Sequence, residues 1–198
     1  MATLAVVTHP VHADPVPDPR YTSERYFALV SQGVLAEDDR VELLEGVIVA
    51  MSPQNPPHAF GVTCAYQALN GATGTRALLR IQLPLILGTY SVPEPDVAIV
   101  PGRSVDYRDR HPTTALLVVE VADATLVQDR LTKAAIYAAA RIPGYWIVNL
   151  RDEQVEVHRD PDARRYATRS IARRGDQLAL LGLPDASVPV ADLLPGRD

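Results

Sequence analysis

Glu120 stands inside ALLVVEVA (115–122), the most apolar run of the chain. An ionised carboxylate among such side chains is costly unless a cation, a cluster of donors or a cleft meets it. Taken alone it has two readings, a strand-end acid paired with an arginine or an acid with a chemical task. Asp96 opens a second apolar run, VAIV (97–100), directly after Pro95. In that place an Asp is commonly a turn or strand-start contact. Together the two acids say more. If the two runs are neighbouring antiparallel strands joined by the loop 101–114, Asp96 begins one strand and Glu120 lies near the end of the other. Both then fall at the same end of a sheet. Two such carboxylates, with a backbone carbonyl such as that of Val121, form an oxygen site suited to Mg²⁺ or Mn²⁺. A divalent ion so held can ionise a water and clamp a phosphate oxygen.

Lys133 adds a cation. Of 19 basic residues it is the one lysine, the rest being arginine. Lysine differs from arginine in being a compact ammonium on a flexible stem, or a base whose pKa can be lowered. It follows Glu120 by thirteen residues, on the helix expected after the central strand, where Asp129, Lys133 and Tyr137 share a face. One reading is an Asp129–Lys133 surface pair worth roughly 0.2–0.5 kcal/mol. The other has the ammonium reaching over the strand end, to orient an attacking water or stabilise charge developing on phosphorus.

The elements that must position these residues follow from periodicity. Thr22 or Ser23 caps a helix to about Gln32, closed by Gly33. Val41–Leu44 and Val47–Met51 flank Glu45-Gly46 as a hairpin. Glu42 lies on it between Val41 and Leu43, an alternation that suits a solvent-facing acid; Glu45 reads as a turn residue. A Pro-rich loop, 53–57, leads to a helix from about His58 to Leu69, with Cys64 a small buried hydrophobe. His58 is either a helix-start residue or one that reaches the cleft. Ala77–Leu87 reads as a long strand interrupted at Pro84, with Gln82 mid-strand, either a structural amide or one that hydrogen-bonds the bound water. Val97–Val100 and Ala115–Ala122 follow, the second buried on both faces. Leu126–Ala140 is helical, Tyr145–Leu150 is a buried strand holding the core residue Trp146, and 154–158, 166–171 and 178–180 form a closing β-meander. The turn is expected at Asp160-Pro161-Asp162. The order implies an α/β or α+β layer fold with a mixed central sheet.

Several of these segments resemble the Uma-type family of small proteins, classed as endonucleases of the PD-(D/E)XK, restriction-endonuclease-like superfamily. They are YTSERYFAL, VELLEGVIVAMSP with the later His58, SVPEPDVAIV, VVEVADATLVQDRLTKAAIYAAARIPGYWIVNL and the closing meander, spanning about Tyr21 to Leu194. The resemblance implies a restriction-endonuclease-like sheet flanked by helices, with Asp96 as the acid at the strand start and Glu120 as the second metal carboxylate. It makes Glu42 the additional acid that precedes them, with Glu45 as the substitute. The superfamily's usual lysine lies two residues after the second acid, where this chain has Ala122. The related small proteins supply it from the next helix, in a D-x-x-x-K stretch that Asp129 and Lys133 match.

Composition narrows the partners. The 198 residues carry 19 basic and 24 acidic side chains, net −5, so any DNA contact rests on a local patch or a metal. Residues 159–174 hold six Arg against two Asp, a stretch that suits either a phosphate backbone or a solvated β-ribbon. One cysteine excludes an internal disulfide and a Cys-based zinc site. No apolar run approaches a membrane span, and the N-terminus makes a poor signal peptide, which points to the cytoplasm. Residues 1–20, with four prolines, read as an extended arm before one nuclease-like domain, 21–198. The expected activity is hydrolysis of DNA phosphodiesters with Mg²⁺ or Mn²⁺ held by Asp96, Glu120 and Val121. Glu42 and Lys133 complete the catalytic set, and a homodimer would suit cutting both strands. The rivals are a non-catalytic binding module on the same fold and a hydrolase of another phosphoester.

Overall fold

The computed structural model describes residues 19–36 and 38–196; the arm expected over 1–20 lies, through residue 18, outside the described residues. Helix α1 (Ser23–Ser31) starts where the Thr22 hydroxyl accepts a hydrogen bond from Arg25 N. Strands β1 (Val41–Leu44) and β2 (Val47–Ala50) form the expected hairpin. It turns through Glu45 and Gly46, both at positive φ (52° and 87°), as a two-residue type I′ turn requires. Helix α2 (Pro56–Thr73) begins two residues earlier than expected, because Asn55 caps it and the first turn, which holds Pro56 and Pro57, needs no N–H partner. It also runs four residues past Leu69.

Three strands follow, β3 (Leu78–Ile81), β4 (Val97–Val100) and β5 (Leu117–Ala122). The expected strand Ala77–Leu87 is thus cut to four residues. Gln82 takes a left-handed φ of 49° and ends it, so Gln82 is a strand-terminating residue rather than a mid-strand amide. The helix after β5 comes in three parts: α3 (Leu126–Gln128), a π-helical turn (Asp129–Lys133) and α4 (Ala134–Ala139). Strands β6 (Gly144–Asn149), β7 (Gln154–Asp162) and β8 (Arg165–Arg173) complete the main sheet. The β7–β8 turn falls after Asp162, later than expected. The last strand expected in the meander, β9 (Gln177–Ala179), leaves that sheet and pairs with β10 (Ser187–Pro189), before helix α5 (Val190–Leu193).

The main sheet has the order β3-β4-β5-β6-β7-β8. Neighbours are antiparallel except β5 and β6, which run parallel and are joined by the α3–α4 crossover. Side chains alternate across β5. Leu117, Val119 and Val121 pack in one core with Val62, Ala65 and Leu69 of α2. Val118 and Ala122 pack in the other with Ala134, Ile136 and Tyr137 of α4. Two layers on a buried sheet explain why β5 and β6 are apolar almost throughout. Among the described residues no helix is long and apolar enough to cross a membrane.

Gly61 sets how closely α2 approaches this sheet. A Cβ there would lie 2.9 Å from Val121 Cγ1 and 3.1 Å from Leu150 Cδ2. Gly61→Ala is expected to cost roughly 1–2 kcal/mol, at the lower end of overpacking penalties, despite alanine's better helix propensity. A urea titration of both proteins checks it, an unchanged or raised midpoint counting against close packing at this point.

Candidate active site

The register of the central strands brings the two acids together. Val97 of β4 lies opposite Val119 of β5, so the next rung places Asp96 opposite Glu120. Asp96 is anchored there by its Oδ2, which accepts a hydrogen bond from Val121 N at 2.8 Å. Its Oδ1 faces two donors, His58 Nε2 at 3.2 Å and Gln82 Nε2 at 3.2 Å. His58 comes from the first turn of α2, and Gln82 is the residue whose backbone turn closes β3. The odd conformation of Gln82 thus aims its amide at the site.

Glu120 points to the opposite layer. Its Oε1 accepts from Lys133 Nζ at 3.1 Å and from the Tyr137 hydroxyl at 2.7 Å. The same ammonium lies 3.3 Å from Glu42 Oε1. Glu42 Oε2 in turn accepts from Glu94 N at 3.2 Å. Lys133 closes the π-helical turn, where Ala134 N reaches back five residues to Asp129 O. Such widened turns are frequent at functional sites. Asp129 accepts a hydrogen bond from the Thr125 hydroxyl at 2.7 Å. The Asp129–Lys133 surface pair is therefore absent: both residues are buried, and the ammonium is committed to Glu42 and Glu120.

Glu42, Asp96, Glu120 and Lys133 thus line one cleft, with Asp129, His58 and Glu94 beside them. Glu42 is only 3 % exposed, contrary to the solvent-facing reading of its alternation, because the hairpin packs over the end of the sheet. Glu45 stays outside the cleft, in the turn, paired with Arg164. Tyr137 and Asn55 complete the frame and had no assigned role in the sequence. Asn55 caps α2 through Oδ1 and donates from Nδ2 to Asp123 at 2.7 Å, tying the His58 turn to the end of β5. Its signal was an Asn directly before a Pro-Pro pair; that of Tyr137 was its place four residues after Lys133.

The charges are unbalanced. Four buried acids, Glu42, Asp96, Glu120 and Asp129, face Lys133 and His58. Burial pushes Glu120 up to about 8; Lys133 opposes this, and Asp129, Asp96 and Glu42 add to it. Burial likewise pushes Asp129 up to about 6. Burial also disfavours ionised Asp96, but the His58, Val121 and Gln82 hydrogen bonds outweigh it and hold that carboxyl below its usual range. Lys133 moves up: burial favours its neutral form, yet Glu120, Glu42 and Asp129 hold the proton on. A lysine whose pKa is lowered into the range of a base is thus not what this site contains.

Among the described residues no three His, Cys, Asp or Glu side chains close on one point as a ready metal shell. The groups that could hold a divalent ion are two carboxylates, Asp96 and Glu120, with the Val121 carbonyl between their strands. All are hard oxygen donors. The cleft encloses about 60 Å³, space for an ion or a few waters. The arginine-rich stretch 159–174 lies on β7 and β8, at the far edge of the sheet from β4. Arg169 pairs with buried Glu156, Arg164 with Glu45 and Arg165 with Asp162, while Arg174 donates to Pro195 O. Much of its charge is spent within the chain.

The fold is similar to that of a solved structure, a putative nuclease belonging to DUF820 from Anabaena variabilis. It has a TM-score of 0.66 at 13% identity and covers 87% of this chain and 96% of that one. At that identity the likeness concerns the fold. No curated protein matches the chain. The Uma2 family profile, described as "Putative restriction endonuclease", matches residues 23–191, nearly everything from α1 to α5. That span contains every residue of the cleft, and the chain belongs to the Uma2 family.

Proposed function

We propose that this chain hydrolyses DNA phosphodiester bonds with Mg²⁺ or Mn²⁺, in the manner of PD-(D/E)XK nucleases. The observation that carries the reading is the surplus of buried carboxylates at one sheet end, facing a lysine locked between two of them. Ionised acids are not kept together in a buried cleft without a compensating cation. Asp96, Glu120 and the Val121 carbonyl would hold that cation. When bound, it supplies a water ionised near neutral pH and a positive charge for a phosphate oxygen.

The chain's own groups do the rest. Asp96 is the acid that stays ionised, fixed by Val121 N–H. Lys133, held between Glu120 and Glu42, is placed to donate to the attacking oxygen or to stabilise charge on phosphorus. Glu42 and Glu120 fix the ammonium from two sides, and Tyr137 fixes Glu120. Membership in the Uma2 family supports the same reaction class.

The test is conversion of supercoiled plasmid to nicked circles by the full chain with Mg²⁺ or Mn²⁺. Glu120→Gln, purified in parallel, sets the baseline. Nicking that needs the metal and stops with EDTA is the expected result. Wild-type turnover equal to that baseline under both metals would reject the assignment in favour of a binding module.

A further inference from the structure

His58 is the group in the cleft that the proposed reaction leaves without a task. Its Nε2 lies 3.2 Å from Asp96 Oδ1, and the ring faces the Val121 main chain. Those are two of the three oxygen donors that the proposed metal shell uses. The imidazole therefore stands where a cation between Asp96 and Val121 would stand. Its placement is built rather than incidental. Asn55 Oδ1 accepts from His58 N at 2.9 Å, and Asn55 Nδ2 is tied to Asp123, just beyond β5. Gly61, one turn along α2, brings the helix within Cβ contact of Val121. The His58 side chain is only 17% exposed, so the ring has little room to leave the cleft.

We infer that His58 is a ligand of the metal, binding through Nε2 once Asp96, Glu120 and the Val121 carbonyl have drawn in around the ion, since these side chains do not yet converge on one point. The inference rests on the metal-dependent reading above. In the metal-free protein Nε2 sits against Asp96 Oδ1, in the ion's place. To ligate through Nε2 the ring would be neutral with its one hydrogen on Nδ1; a doubly protonated ring would release its Nε2 proton to solvent. An imidazole in an otherwise oxygen shell changes metal choice. Mg²⁺ prefers oxygen and water, whereas Mn²⁺ and later divalent metals accept nitrogen more readily. The site should therefore favour Mn²⁺ over Mg²⁺ through His58 itself.

Pulsed electron paramagnetic resonance of the full chain with one equivalent of Mn²⁺ reads this directly. A directly coordinated nitrogen gives a ¹⁴N coupling that changes in ¹⁵N-labelled protein. We expect that coupling in the wild type and its loss in His58→Gln, which keeps a polar group of similar reach. Calorimetry with each metal alone should show Mn²⁺ affinity falling about tenfold or more in His58→Gln and Mg²⁺ affinity much less. Bound Mn²⁺ with no nitrogen coupling in the wild type overturns the ligand assignment while leaving the metal-dependent reading intact. A coupling that persists in His58→Gln also overturns it. No Mn²⁺ or Mg²⁺ binding by the wild type overturns both.

Discussion

Lys133→Met should abolish plasmid nicking and lower stability by about 3–5 kcal/mol, the usual penalty for stripping one partner from a buried ion cluster. Lys133 is 6% exposed, and its ammonium pairs with both Glu120 Oε1 and Glu42 Oε1. Methionine fills most of the volume but leaves two buried carboxylates facing each other. For a chain of this length such a loss lowers the melting temperature on the order of 10 °C. Glu120 can take up a proton, its pKa being already raised by burial, and this relieves part of the cost. Loss of activity in an unstable variant proves little, so the informative protein is the double variant Lys133→Met/Glu120→Gln. Glutamine keeps an acceptor for Tyr137 and removes the uncompensated charge. Stability should return toward wild type while nicking stays absent. Activity that returned together with stability would show Lys133 to be a structural cation only.

The sequence made part of this site legible for a physical reason. An acid in an apolar strand has few places to go, and two apolar runs joined by a loop with no helix long enough for a crossover are most simply antiparallel neighbours. Asp96 and Glu120 followed from that, and β4 and β5 pair in the register it requires. Lys133 was visible because it is the one lysine. Glu42 was not legible from alternation. The hairpin that carries it is covered on the side where VELL places its acid, and only tertiary packing decides that. The π-helical turn was equally hidden, since an apolar periodicity near 3.6 cannot register a single widened turn. Gln82 was misplaced because strand-forming side chains continue to Leu87, whereas Pro84 and the left-handed Gln82 end the ladder at Ile81. The arginine-rich hairpin shows the limit of counting charge. Six guanidinium groups in sequence suggested a phosphate surface, but buried Glu156 draws one of them, Arg169, into an internal cluster with Arg130 of the π-helical turn. In the same way the closing meander failed at β9, whose partner β10 is three residues long, ends in proline and carries almost no strand signal.

The surplus of acids also predicts where the protein can be stabilised. Asp129 is 2% exposed, and burial, with Asp96 and Glu42 adding to it, raises its pKa to about 6 against Lys133 and the Thr125 hydrogen bond. A carboxyl whose folded pKa lies above its unfolded value binds its proton more tightly when folded. Its ionisation therefore costs nothing below the unfolded value, near 4, and its full penalty is reached once the pH has risen past about 6. Asp129→Asn removes that penalty and keeps an oxygen to accept from Thr125. The variant should be more stable than wild type above pH 7, by on the order of 1–3 kcal/mol, and nearly equal to it at pH 4. Lys133 keeps two carboxylate partners in the variant, so its proton and position are retained. Urea titrations of metal-free protein at pH 4 and pH 8 read the difference. A gain that is the same at both values would trace to something other than ionisation, and a loss at pH 8 would mean that the negative charge of Asp129 supports the fold through Lys133. If the gain appears at pH 8 alone, the cleft holds more negative charge than its own cations balance, the condition under which a divalent ion would be drawn in.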